Sequence, residues 1–122
     1  MEVSNIMSIF ATETNSIMDM ESLNRVELKG TLGSINLTQV GDKKHARFSV
    51  ATDYAYLNKD GEAVIETTWH NVSAWDEDGK IAELKRGDKV HVLGRLRNLR
   101  YRTADGEERS AWEVLAHEVK VL

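Results

Sequence analysis

Trp69 and Trp75 stand six residues apart in the run Thr67-Thr68-Trp69-His70-Asn71-Val72-Ser73-Ala74-Trp75. Side chains of an extended chain alternate between faces, so both indoles point the same way, with Asn71 and Ser73 between them. The opposite parity carries His70, Val72 and Ala74, the small and apolar side chains suited to a core. Two tryptophans on the polar face of a strand cost solubility and add little to packing. The chemistry they offer is stacking, and an exposed pair is what a sequence-tolerant platform for unpaired bases needs.

A second run adds charge to that surface. In His91-Val92-Leu93-Gly94-Arg95-Leu96-Arg97-Asn98-Leu99-Arg100-Tyr101, the outward parity is His91, Leu93, Arg95, Arg97, Leu99 and Tyr101. Guanidinium groups and an aromatic ring thus alternate along one face, and arginine can pair with phosphate or stack on a base. The whole chain has 16 Lys plus Arg against 20 Asp plus Glu, which by itself argues against a polyanionic partner. Position reverses that impression. Between residues 80 and 102, Lys80, Lys85, Arg86, Lys89, Arg95, Arg97, Arg100 and Arg102 face only Glu83 and Asp88. Such a stripe can follow a phosphate backbone even in an acidic protein. Its bland alternative is a solvated charged face, and the aromatics sharing that face favour the functional reading. Arg47, Lys43 and Lys59 are assigned to the same binding set.

Nothing here suggests catalysis. The four histidines (His45, His70, His91, His117) are well separated, without the close carboxylate spacing of metal sites, so no metal or cofactor is expected. The stretch Gly30-Thr31-Leu32-Gly33 is too short and apolar for a phosphate cradle, and no nucleophile elbow or carboxylate pair occurs. Tyr54 and Tyr56 follow the core parity of Phe48 and Val50, so Tyr56 is open between a stacking role at a loop base and a packing role. Trp112 shares parity with Val114 and is expected to be buried.

The elements that must position these residues follow from period-two patterning. Residues 1–23 contain Glu2, Glu13, Asp19 and Glu21 but no Lys or Arg, with a broken apolar pattern, and read as a flexible acidic N-terminal extension. From Asn24 the alternation is regular. Val26, Leu28 and Leu32 mark a first strand, Ala46, Phe48 and Val50 a second, and Asn58-Lys59-Asp60-Gly61 turns into a third strand over about 64–75. After a polar turn at Asp76–Gly79, residues 80–85 predict one short helix ending before Gly87. Val90, Val92 and Leu96 line a fourth strand, and Ala104-Asp105-Gly106 turns it into a fifth that ends at Val119 and Val121. The fifth slips parity between Ala116 and Val119, which predicts a bulge. Three strands, a short helix and two strands give the element order of an all-β, five-stranded Greek-key OB-fold barrel over residues 24–122. There is no cysteine and no apolar run long enough to span a membrane, and residues 1–23 do not look like a secretory signal, so the cytoplasm is the expected location and no membrane is implied.

The chain resembles the bacterial single-stranded DNA-binding protein family over residues 24–122. The resemblance rests on Asn24-Arg25-Val26 with Gly30-Thr31-Leu32-Gly33, on Ala51-Thr52, on Thr68-Trp69-His70-Asn71-Val72, and on Gly94-Arg95-Leu96-Arg97 followed by Tyr101. It implies that Trp69, Trp75, Tyr101 and Tyr56 take the family's base-stacking positions, and that His70, with Arg25 and Glu27, lies at a subunit interface. It also implies a homotetramer, with a dimer as the smaller alternative, serving DNA replication, repair and recombination. Two departures stand out. Ser34-Ile35-Asn36-Leu37-Thr38-Gln39 replaces the family's acidic-proline segment, so a different first loop is expected. The chain also reaches Leu122 directly after the fifth strand, without the acidic tail that recruits replication and repair proteins, so weak recruitment is expected. The rival expectation is a tail-less OB-fold accessory protein of a primosome or mobile element that acts mainly through protein contacts.

Overall fold

A computed structural model describes residues 21–122, so nearly all of the acidic extension expected over residues 1–23 lies outside the described residues. Five strands follow in chain order: β1 (Val26–Val40), β2 (Lys43–Leu57), β3 (Ala63–Asp76), β4 (Lys89–Arg102) and β5 (Glu108–Val121). They close into the expected barrel in the order β1-β2-β3-β5-β4, β4 completing the ring against β1. All neighbours pair antiparallel except β3 and β5, which meet in parallel at Val72↔Val114 and Ser73↔Leu115.

The alternation read from the sequence fills the interior. Leu32, Phe48, Val50, Val72, Val90, Val92 and Val114 are buried together with Ala46, Ala74 and Ala116. A fully buried Val, Leu or Phe side chain contributes about 1.5–3 kcal/mol, so this short cylinder supplies most of the driving force. Two bulges adjust its curvature. On β5 the pairing jumps from Leu93↔Glu118 to Gly94↔Ala116, leaving His117 as the extra residue where the parity slip predicts one. On β1, Gly33 and Ser34 together oppose Ser49, whose hydroxyl accepts from the Ser34 N–H at 3.1 Å.

Beyond the barrel wall the hairpins continue as arms. The β2–β3 ladder runs to Leu57↔Ala63, and the β4–β5 ladder to Arg102↔Glu108. Their turns carry the glycines the sequence placed there, Gly61 and Gly106, at φ of 78° and 86°, where a β-carbon is disfavoured. Residues 34–39 are no loop: β1 runs through them to Val40 and turns at Gly41.

One predicted element is corrected. Between β3 and β4 there is no helix beyond a single 3-10 turn, Ile81–Glu83. The Asp76 carboxylate accepts from the N–H groups of Ile81 and Ala82 at 3.1 and 3.0 Å, and Gly87 then donates to the Leu32 carbonyl at 2.8 Å. Six residues pinned at both ends cannot repay helix nucleation. Among the described residues no helix is long and apolar enough to cross a membrane.

Candidate nucleic-acid interface

β3 holds both indoles on its outward face, as its alternation requires. Trp69 and Trp75 are 59% and 44% exposed, while Val72 and Ala74 between them are buried. Cross-strand pairing sets Ala51 beside Trp69, Ser49 beside Asn71, Arg47 beside Ser73 and His45 beside Trp75. The His45 and Trp75 rings meet edge to face, centroids 4.8 Å apart, which fixes the Trp75 indole. Burial, with Arg47 next in weight, holds the His45 imidazole below its ordinary pKa. At the other indole, Gly33 of the β1 bulge leaves the space that the six-membered ring of Trp69 uses.

On the far side of β3 lies β5, and then β4 with its arginines. They do not act alike. Arg97 is half-buried and binds Glu113 through both Nε and a terminal nitrogen, each 2.8 Å from Oε2. Glu113 is 8% exposed and also accepts from the Ser73 hydroxyl at 3.0 Å. This ties β3, β4 and β5 together in the middle of the face and commits Arg97 to a carboxylate. Arg102 donates to the Gly106 carbonyl in its own turn at 3.2 Å. Arg95, exposed, lines a groove with Trp75 and His117, and exposed Arg47 and Arg100 line a second groove with Tyr101. Lys43 opens the 15-residue β2 and Lys59 lies in the turn beyond its far end, both exposed and too far apart to form one cluster.

Tyr101, 49% exposed, stands on the β4–β5 arm across the second groove from β2 and β3. Tyr56 does not join this surface. It pairs with Val64 on the face of the β2–β3 arm opposite to Trp69 and stacks on Tyr54, centroids 6.0 Å apart. Both tyrosines keep core parity and are exposed, because the arm has left the barrel at that point.

The expectation for Trp112 is wrong. It has the parity of Val114 yet is 62% exposed. β3 reaches β5 only at Val114 and Leu115, and the partner of Trp112 across the arm is exposed Asn98, so nothing covers the ring. The signal was the polar run Glu107-Glu108-Arg109-Ser110 leading into it, which marks that stretch as lying outside the wall. Sequence reasoning also missed His45 and Glu113.

The residues expected at a subunit interface lie elsewhere. His70 is partly buried, its Nε2 2.8 Å from the Thr52 hydroxyl. Glu27 on β1 is exposed and bonds His91 Nε2 at 2.6 Å, a hydrogen bond that holds its carboxyl below the ordinary value. Arg25 is exposed just before β1. Among the described residues no three His, Asp or Glu side chains are arranged to hold a metal ion.

Residues 23–122 match the model of the Single-strand binding protein family. The chain is 36% identical over 105 residues to a single-stranded DNA-binding protein of Neisseria meningitidis serogroup A, covering 83% of this chain and 60% of the relative. A single-stranded DNA-binding protein of Xylella fastidiosa is 33% identical, with 82% and 63% covered. The chain thus spans about three-fifths of the length of these curated relatives. Among solved structures, the Plasmodium falciparum SSB complex with ssDNA superposes with a TM-score of 0.74 at 25% identity, over 86% of this chain and 99% of that one. A single-stranded DNA binding protein from Thermus aquaticus, at 21% identity and a TM-score of 0.69, shares the fold over 82% of this chain and 50% of that one.

Proposed function

Because the chain belongs to the single-strand binding protein family, we propose that it binds and protects single-stranded DNA in a sequence-tolerant way and without catalysis, holding the strand open during replication, repair and recombination. The observation that carries this is the pair of exposed indoles on one face of β3, with Arg47 on β2 to one side and Arg95 on β4 to the other. Bases stack on Trp69, Trp75 and Tyr101, since every base offers a π-face whatever its identity. Phosphates pair with Arg95, Arg47 and Arg100, which leaves Arg97 and Arg102 as braces that position β5 and the arm turn. His70, Arg25 and Glu27 are assigned to contacts between copies in a homotetramer, the assembly the resemblance implies.

Titration with oligo-dT tests the reading. Strong quenching of tryptophan fluorescence, with Trp69→Ala or Trp75→Ala each weakening binding by roughly 1–3 kcal/mol, is expected. Failure of the unaltered chain to bind would overturn it.

The β2–β3 arm favours a second reading. Tyr54, Leu57 and Ile65 are about two-thirds exposed there, which suits a protein-binding accessory role alongside DNA binding.

A further inference from the structure

The second groove, between the bulged part of β1, the centre of β2 and β3, and the β4–β5 arm, encloses about 520 Å³. That is within the roughly 300–1,000 Å³ typical of small-ligand sites. Its floor is apolar, formed by buried Phe48 and Val72. Trp112 lines it from β5, and Asn36 and Asn71 line it from β1 and β3. Arg47 and Arg100 stand at the groove as exposed cations. The one carboxylate lining it, Glu113, is already bound by Arg97 and Ser73.

We propose that this groove is a nucleobase pocket: Trp112 stacks one base of the bound strand, Asn36 and Asn71 hydrogen-bond its edge, and Arg47 and Arg100 hold the adjoining phosphates. The inference rests on the single-strand binding reading and deepens it. An indole that no part of the barrel covers has no packing role, and it gains most by burying its face against another flat ring. The indoles of Trp69 and Trp75 offer π-faces that are indifferent to the base. The groove adds amides, each both donor and acceptor, and an asparagine amide matches the paired donor and acceptor of an adenine edge. Base preference in this protein therefore originates in the groove.

Oligonucleotide binding to Trp112→Ala, Trp112→Phe and the double variant Asn36→Ala/Asn71→Ala tests this. Trp112→Ala is expected to lose about ten-fold in oligo-dT affinity, the usual scale for one stacked base, with Trp112→Phe recovering most of it. The double variant should narrow the spread of affinities among dA, dC and dT oligomers. Photo-crosslinking of the unaltered chain to an oligomer containing 5-iododeoxyuridine should label Trp112, and this holds even if a variant folds poorly. Normal affinity of Trp112→Ala, or labels confined to Trp69 and Trp75, would overturn the pocket and leave the family reading standing. Absence of any binding by the unaltered chain would sink that reading first.

Discussion

Gly33 and Trp69 share one space. A β-carbon built on Gly33 would lie 2.6 Å from Cζ3 of the Trp69 ring and 2.5 Å from the Ser49 hydroxyl, so the indole is seated on the missing side chain of the β1 bulge. The two strands that meet there are not ladder partners; the seat is made by the bulge.

Gly33→Ala should therefore push the indole outward. Expected outcomes are a red shift of tryptophan emission and a fall in oligo-dT affinity of up to ten-fold, because Trp69 loses its fixed stacking geometry. Overpacking also costs about 1–3 kcal/mol of stability, readable as a lowered Tm. Unchanged emission and affinity would show that the seat is not needed.

The two central arginines should separate under mutation. Arg95→Gln should flatten the salt dependence of binding, by about 0.7 in log–log slope for one phosphate contact, and leave Tm alone. Arg97→Gln should lower Tm by an amount equivalent to roughly 1–3 kcal/mol, because it strands the buried Glu113 carboxylate beside Ser73. Thermal melts and salt titrations on both variants check this; equal melts would refute it.

Glu113→Gln makes the complementary case. It keeps the shape and releases Arg97 from its carboxylate, so the salt slope should steepen while Tm falls. Salt titration of this variant alone decides the matter.

His45 gives a pH dependence whose sign is fixed. Burial holds its folded pKa below the ordinary imidazole value of about 6.5, so the unfolded chain binds more protons in the window between the two. Stability is complete above about pH 6.5, declines as pH falls through that window, and levels off below the folded pKa. His45→Gln should remove this part of the acid-side decline in Tm, and an identical pH profile would contradict the assignment.

Much of the barrel was legible in the chain. Period-two alternation located the strands, the turn glycines located the arm tips, and the parity slip after Ala116 located the β5 bulge. What could not be read is where the wall ends. Trp112, Tyr54 and Leu96 obey core parity and are exposed, because parity reports a face and only closure of the ring decides whether that face is covered. The 3-10 turn escaped for a related reason: its apolar spacing suits a helix, but what stops it is Gly87 donating to the Leu32 carbonyl, a partner across the fold. At the candidate site, the outward exposure of the two indoles and of Arg95 was legible from type and spacing alone. The engagement of Arg97 by Glu113 was not, since the two lie on different strands whose register no local pattern encodes.

The parallel junction of β3 and β5 is only two residue pairs long, whereas every other junction in the ring is a longer antiparallel ladder. This suture is where the cylinder should open first, and amide hydrogens beside it are expected to exchange at a lower local free energy than those of the β2–β3 ladder. A strand lying from Trp75 towards Tyr101 crosses that suture. Occupancy of the face should therefore rivet that junction shut, and hydrogen exchange is expected to read out ligand binding as protection of Val114 and Leu115.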